Sequence, residues 1–249
     1  FFGKSLALDA EKNLYITGST TSDDFPTRDP GGGAFFQGTR QGTGFDSDAY
    51  IAKFDSSYNL IWSTYFGSSD GVRTTGEAVD VTPCGEVYMA ISGQMAGLPT
   101  VDDGSFFQGT YSGAQEGYFA RFSSAGAHEW GTYYGTADDE ELRLIDVSGD
   151  GTQMFFVVER TDGTDATNPA ALTQDPGGGA YFETVPENNW EPLLGRWDLG
   201  GALNPGFITW VGGIDNDWHK PCNWSPPQVP TPTDPVIVPD SPNDPHVKV

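Results

Sequence analysis

The chain has 249 residues, of which 13% are aromatic, 33 are Gly and 18 are Pro. Its 35 Asp and Glu residues against 12 Lys and Arg residues give a formal charge of −23, which excludes a nucleic-acid groove because phosphates need the opposite sign. It contains no apolar run long enough to cross a membrane, and this composition favours one large or two smaller domains of short strands and tight turns. No signal peptide is recognisable at its start, and we interpret the chain as a mature or trimmed piece of a longer protein.

Four segments recur three times along the chain, and each is rich in aromatic and β-branched residues and bounded by Gly, Asn or Asp, which is typical of short strands. The first segments are Ser5–Ala10, Gly76–Val81 and Leu142–Val147. The second segments are Asn13–Ser19, Glu86–Ser92 and Gln153–Glu159. The third segments are Asp48–Asp55, Glu116–Ser123 and Glu191–Asp198. The fourth segments are Trp62–Gly67, Trp130–Gly135 and Phe207–Gly212.

This repeat predicts an all-β fold of three four-stranded antiparallel units, aligned on Asp9, Asp80 and Asp146. Tandem four-stranded units are typical of propeller blades. A sandwich of short strands is the competing architecture, but it gives no reason for the sequence to repeat every ~70 residues. The predicted repeats cover residues 1–212, as units at about 3–67, 72–135 and 140–212.

The stretches DAYIAKFD, WSTYFG and LALDAEKNLYITGSTTSDDFPT resemble the bacterial seven-bladed β-propeller repeat, abbreviated SBBP. The resemblance covers about residues 3–212 and is closest in unit one. It implies an exported or cell-surface bacterial protein built from repeated modules. The opening FFG resembles the end of a preceding fourth strand. We therefore expect the three blades to be part of a larger propeller.

After Gly212 the composition changes, because residues 213–249 are rich in Pro, which removes backbone donors from strands. One interpretation is an extended linker between modules. The alternative is the start of a further β module, since Trp218 and Trp224 are unusual in a linker and Val236–Val238 has the composition of a short strand. The pattern of Trp, Asn-Trp and Val-Pro residues from Trp210 onwards resembles a module of large bacterial surface proteins that are often exported by the type IX secretion system.

One turn has the opening pattern of a calcium loop, with candidate ligands Asp146, Ser148 and Asp150. Calcium loops need closely spaced oxygens and a Gly, but Val157 stands where such a loop has its Glu. The same place in the other units is also a turn between the first and second strands. A plain hairpin turn, for which Asp and Gly supply the backbone shapes, is therefore the alternative. No other cofactor is predicted.

Several further features are interpreted as structural. An acid and a base lie five residues apart in the third strand of each unit, on opposite faces of a regular strand; these pairs are Asp48/Lys53, Glu116/Arg121 and Glu191/Arg196.

The run Asp138–Glu141 is interpreted as a solvated loop, and His128 as a surface or packed residue. Cys84 and Cys222 are compatible with one disulfide, but the sequence does not decide whether they pair.

The tryptophans allow two interpretations. Trp190, Trp218 and Trp224 could stack on sugars, or they could pack inside the protein. Trp62 and Trp130 occupy matched positions and are predicted to pack between blades.

The stretch DPGGG followed by two aromatic residues occurs twice, at Asp29–Phe36 and Asp175–Phe182, and Val101–Thr110 has a related loop with one Gly. All three lie between the second and third strands of a unit. A phosphate-binding Gly loop would need a strand before it and a helix after it. We therefore predict a loop anchor, in which glycines permit a tight turn and the aromatic pair holds the loop against its blade.

No catalytic motif is recognisable, and the leading hypothesis is a non-enzymatic structural, adhesive or binding segment of a secreted or cell-surface bacterial protein. Its expected partners are a protein or glycan at the cell surface, or the secretion machinery. The alternatives are the propeller of a secreted polysaccharide-active enzyme, with acidic groups in its channel, and a cargo or subunit of a secretion or surface machine.

Overall fold

A computed structural model describes residues 2–136, 138–149, 151–160, 191–199, 208–210, 216–225 and 229–238. Within these ranges the chain is all β apart from one short 3-10 helix at Pro221–Asn223. No helix in this part of the chain is long and apolar enough to cross a membrane.

Two four-stranded antiparallel sheets and a three-stranded sheet follow one another in the chain, and these are the predicted propeller-like blades. Blade one consists of β1 (Phe2–Leu8), β2 (Leu14–Thr20), β3 (Asp48–Phe54) and β4 (Leu60–Phe66), paired in that order. Blade two consists of β5 (Thr74–Val81), β6 (Val87–Gly93), β7 (Glu116–Phe122) and β8 (His128–Tyr134). The described part of blade three consists of β9 (Glu140–Val147), β10 (Gln153–Arg160) and β11 (Glu191–Asp198). The predicted fold class is confirmed.

Blade two is buried on both faces because it lies between the other two blades, and nearly every residue of its four strands is buried. The outer blades each expose one apolar face instead. On blade one, Leu6 and Leu8 are 67% and 59% exposed; on blade three, Leu144 and Leu194 are 61% and 77% exposed. The core therefore consists of the two inter-blade seams, each filled by the facing side chains of neighbouring sheets.

The first strands of successive blades contact one another, β1 with β5 and β5 with β9, as expected for sheets arranged radially about a common axis. Each of these strands carries a β-bulge at the same relative place, and the extra residues are Lys4, Glu77 and Arg143. A bulge turns its extra residue away from the regular ladder. Here it lets Lys4 reach across the seam, where its Nζ lies 2.6 Å from Glu77 Oε2.

The strand register corrects the repeat alignment in unit one. Ala7 lies opposite Tyr15, and Asp80 lies opposite Tyr88 in the next blade. Ala7 is therefore the structural counterpart of Asp80, whereas Asp9 lies two residues further on, in the turn. The sequence alignment was wrong by two residues because it matched aspartates of different roles.

Two further strand assignments were wrong. The opening residues do not end a preceding strand, since Phe2 already belongs to β1 and pairs with Ser19 of β2. Nor does the segment Phe207–Gly212 supply a fourth strand to the described sheet of blade three. Its strand β12 (Ile208–Trp210) pairs instead with β13 (Trp224–Ser225) and, in parallel, with β14 (Val236–Ile237).

A tryptophan cluster explains why β12 joins the tail. Trp210 and Trp224 are 1% and 2% exposed, and the rings of Trp218 and Trp224 meet edge to face at 4.4 Å. Edge-to-face aromatic packing of this kind is favourable beyond the burial of area alone. The three rings form a small core of their own.

A disulfide joins this tail to blade two. Cys84 lies in the turn between β5 and β6, and Cys222 lies in the short 3-10 helix before β13; their Cα atoms are 5.3 Å apart and 138 positions separate them in sequence. The sequence left this pairing open, and the structure supplies it.

Candidate functional site

The long loop of unit one, between β2 and β3, is anchored in the seam between blades one and two. The Phe35 ring lies 4.9 Å from Phe66 and 6.2 Å from Phe122 of the neighbouring blade. The Phe35 carbonyl accepts a hydrogen bond from the indole of Trp62 at 3.0 Å, and the Phe35 N–H donates to the Gly126 carbonyl at 2.8 Å. The loop thus ties two blades together.

The glycine run before this anchor allows the backbone to adopt a left-handed conformation. Gly31, Gly32 and Gly33 have φ angles of 75°, 68° and 89°, a left-handed conformation that glycine alone adopts readily. A Cβ on any of them would meet no atom within 4 Å. The run is therefore required by its backbone conformation and not by close packing against the described parts of the chain.

The loop of unit two repeats the indole contact, and its Gln108 contact matches that of the Gln37 N–H with Thr64 Oγ1 at 2.7 Å in unit one. The Phe106 carbonyl accepts from the Trp130 indole at 3.0 Å, and the Gln108 N–H donates to Thr132 Oγ1 at 2.8 Å. Phe106 and Phe107 are each 40% exposed, and the Phe106 ring stacks on Trp197 of blade three with centroids 5.0 Å apart. The predicted anchor is confirmed for units one and two, although only the first aromatic residue enters the seam. The second copy of DPGGG, at Asp175–Phe182, lies outside the described residues.

A cavity of about 120 Å³ lies where this second loop meets the seam between blades two and three. It is bounded by four aromatic side chains, an ion pair and two smaller residues, namely Tyr88, Phe106, Trp130, Trp197, Arg121, Asp103, Ser105 and Leu199. The walls come from β6, β7, β8, β11 and the β6–β7 loop. We refer to it below as the seam cavity.

The aromatic walls of the seam cavity hold one another in place. The rings of Phe106 and Trp197 stack with centroids 5.0 Å apart, and Trp130 meets Trp197 edge to face at 5.5 Å. Trp130 is only 3% exposed, whereas Phe106 is 40% exposed. Phe106 therefore forms the outer wall, on a loop, and Trp130 forms part of the inner wall, on a strand.

Arg121 supplies the positive charge of the seam cavity. Its guanidinium lies 3.2 Å from the Asp103 carboxylate and 3.7 Å from Glu129. Burial lowers the pKa of Arg121, but Tyr88, Glu86 and Asp103 nearby raise it by more. Arg121 therefore stays charged, and its buried Nε atom has no hydrogen-bond partner in the described part of the chain.

The equivalent seam between blades one and two is built differently. Lys53 occupies the position of Arg121, and its Nζ donates to the Ser124 carbonyl of blade two at 3.1 Å while lying over the Tyr15 ring at 5.2 Å. The Gly126 turn lies against Trp62 so closely that a Cβ on this glycine would be 3.3 Å from the indole ring. The lysine is thus engaged with the next blade's turn.

The sequence analysis assigned Arg121 and Trp130 to the blade pattern and did not single out Asp103 or Trp197. Two departures from the repeat could have indicated the site. Arg121 of unit two stands where unit one has Lys53, and Trp197 of unit three stands where unit two has Phe122.

The predicted calcium turn is described only in part. Asp146 is exposed at the end of β9, and Asp150 lies outside the described residues. The Ser148 hydroxyl accepts a hydrogen bond from the Gln153 N–H at 2.9 Å. In unit one Asp9 accepts from the N–H of Asn13 in the same way, so the hairpin role of this turn has structural support. The calcium interpretation stays a prediction.

The run Asp138–Glu141 is not the solvated loop that we expected. Glu140 begins β9, is fully buried and accepts a hydrogen bond from the Thr136 N–H at 2.8 Å. Asp138 lies 3.1 Å from the Arg160 guanidinium, and Glu141 lies 2.7 Å from Arg143. Glu141 pairs with an arginine two positions along the same strand, whereas Asp138 pairs with Arg160, which the local sequence does not reveal.

The acid–base pairs of the third strands point to separate partners, as expected for opposite faces. Asp48 accepts from the N–H groups of Gln41 and Gly42 at 2.6 and 2.8 Å, whereas Lys53 makes its contacts at the other end of the strand. Glu116, the counterpart of Asp48, has one buried oxygen without a hydrogen-bond partner in the described residues. These contacts are architectural.

His128 is packed among the rings of Phe35, Phe66 and Phe122, one of the two roles predicted for it. Burial lowers its pKa to about 4.

Two of the three tryptophans that were candidates for sugar stacking pack against each other instead. Trp224 is buried and Trp218 packs against it, so their rings are engaged with each other. Trp190 lies outside the described residues. Trp62 and Trp130, which we expected to pack between blades, do lie in the two seams.

Comparison with known families adds one match. Residues 2–26 match the family model described as a beta-propeller repeat, SBBP. The matched segment contains β1 and β2 of blade one, and it supports the family resemblance of the repeats. Among curated proteins, none matches the chain. A propeller repeat is consistent with a binding or structural domain.

Proposed function

We propose that the chain is a non-enzymatic binding or structural segment of an exported bacterial cell-surface protein, in which rigid blades present anchored loops to a protein or glycan. The Cys84–Cys222 disulfide carries the proposal of export. Structural disulfides persist in oxidising compartments and are rare in the cytosol, where thiols are kept reduced. The SBBP resemblance favours the same location.

Binding is favoured over hydrolysis by the make-up of the seam cavity. Glycoside hydrolysis uses two carboxyl groups that flank the scissile bond. Asp103 is the one carboxylate among the residues lining the seam cavity, and it is paired with Arg121. An ion-paired carboxylate beside aromatic walls is suited to holding a ligand; the other acid near the Arg121 guanidinium, Glu129 at 3.7 Å, does not line the seam cavity.

Export by a type IX machine is the finer part of the proposal, and it rests on the resemblance of the tail to modules of such surface proteins. The described tail contributes Trp218 and Trp224 to the tryptophan core and two short strands, β13 and β14, that pair with β12.

The state of the two cysteines in the producing cells tests export. Cells are lysed in the presence of a thiol-alkylating reagent, and the peptides that contain Cys84 and Cys222 are identified by mass spectrometry without reduction. Export predicts that the two peptides are recovered covalently joined and unalkylated. Recovery of both cysteines in alkylated form would contradict the proposal.

A panel of glycans and surface proteins tests binding, with release of reducing sugars measured in parallel. The proposal predicts retention of at least one ligand class without its hydrolysis. Turnover of a polysaccharide would establish the enzymatic alternative instead.

A further inference from the structure

We propose that the seam cavity binds one neutral sugar ring, a hexopyranose unit of a surface glycan. This inference rests on the proposed binding function and names its site and ligand class. The walls differ from those of the seam between blades one and two, because Arg121 and Trp197 occupy the positions that Lys53 and Phe122 hold there.

The change from Lys to Arg redirects the positive group. Lys53 reaches forward to the carbonyl of Ser124 in the neighbouring blade. Arg121 instead turns to Asp103, on the loop of its own unit. The ion pair therefore lies in the wall of the seam cavity, where it presents a donor and an acceptor side by side.

A sugar ring matches these walls chemically. A pyranose has apolar C–H faces, which pack against aromatic rings such as Trp130 and Trp197, and hydroxyl groups around its edge. Each hydroxyl can both donate and accept, so it can bridge Arg121 and Asp103. The Arg121 Nε is buried and faces Glu129 at 3.7 Å, so the groups offered to a hydroxyl are the guanidinium Nη1 and the Asp103 carboxylate, which lie 3.2 Å apart on partly exposed side chains.

Charge and size narrow the ligand class. An anionic ligand would meet Asp103 and Glu129 near the guanidinium, in a chain with a net charge of −23, and a cationic ligand would meet Arg121 itself. A volume of about 120 Å³ admits a single ring and not a folded peptide segment. Small pockets with apolar walls and a few placed polar groups are typical ligand sites.

The β6–β7 loop, which carries Phe106, forms the entrance to the seam cavity. Phe106 is 40% exposed and stacks on Trp197, and Gly104, with φ 87°, sets the turn that precedes it. Movement of this loop would open the outer wall without disturbing the strands that carry Arg121 and Trp130.

Titration of the full chain with simple glycosides tests the inference. The methyl glycosides of glucose, galactose, mannose and N-acetylglucosamine are added singly, and tryptophan fluorescence and calorimetry follow saturation. We expect at least one glycoside to saturate a single site. Phe106→Ala should weaken its binding by about tenfold, as loss of one aromatic contact does, and Arg121→Met should weaken it further.

Phe107→Ala is the matched control, because Phe107 is also 40% exposed and adjoins Phe106 but does not line the seam cavity. It should leave the affinity within about twofold of the unsubstituted chain. Near-ultraviolet circular dichroism of both variants verifies that the fold is retained.

Two results would overturn the inference: no glycoside saturates, whether or not arginine methyl ester or a short peptide binds instead, or Phe107→Ala weakens binding as much as Phe106→Ala. Neither of these results bears on export, which is measured by the state of the cysteines. The two proposals therefore fail separately.

Discussion

Removal of the Cys84–Cys222 disulfide should destabilise the protein strongly, because this bond closes a long loop. A disulfide restricts the unfolded chain by an entropy that grows with the number of residues enclosed. For a separation of 138 residues the chain-entropy relation gives about 5 kcal/mol at room temperature. Measured values often fall below this limit, so we expect the variant Cys84→Ala/Cys222→Ala to lose about 3–5 kcal/mol of unfolding free energy.

Urea denaturation followed by tryptophan fluorescence measures this loss, and the melting temperature should fall by roughly 10 °C. Wild-type protein that has been reduced and alkylated is the control, and it should match the double variant. A loss below about 1 kcal/mol would refute the reasoning, because it would mean that the cross-link does not restrict the unfolded chain as its length requires.

Three further perturbations test the packing. Gly32→Ala should cost about 1–2 kcal/mol in urea denaturation because φ is 68° there, whereas Gly149→Ala, in open space and without a left-handed φ, should cost little; equal costs would contradict the conformational role of Gly32. His128, whose pKa burial lowers from 6.5 to about 4, should contribute stability that is lost as the pH falls between these values, since only the unfolded ring gains a proton there; an NMR titration midpoint near 6.5 would contradict its burial. Burial, together with a neighbouring carboxylate, raises the pKa of Glu116, so Glu116→Gln should raise the unfolding free energy at alkaline pH by about 1 kcal/mol and have no such effect in acid. At the matching position burial also raises the pKa of Asp48, but an Asn there would turn an amide NH2 towards one of the two backbone N–H groups that Asp48 accepts, so Asp48→Asn should stabilise less than Glu116→Gln at alkaline pH; a larger gain for Asp48→Asn would contradict this contrast.

The strands of blades one and two were predictable because their signal is local. Alternating aromatic and β-branched residues between turn residues predicted β3 and β7 to within a residue of their observed ends. The repeat strengthened these strand predictions, because the same pattern of residues occurs three times in the chain. The anchoring role of Phe35 and Phe106 was predictable for the same reason.

The remaining features depend on contacts between distant parts of the chain. The pairing of Cys84 with Cys222 depends on where the tail folds, and β12 was assigned to blade three because its local pattern fits a fourth strand equally well. Its true partners are set by the packing of Trp210 against Trp224. The seam cavity was missed because its walls come from four strands and a loop, and the repeat pattern masks the change of Lys to Arg at Arg121.

The two homologous tryptophan indoles offer the most direct measurement of whether binding occurs in the second seam. Trp62 and Trp130 each donate to the carbonyl of an anchor phenylalanine at 3.0 Å, but only Trp130 lines the seam cavity. In nitrogen-15-labelled protein titrated with the four methyl glycosides, we predict that the Trp130 indole resonance shifts while that of Trp62 does not. Equal shifts of both resonances, or no shift of Trp130, would contradict a sugar site in the seam between blades two and three.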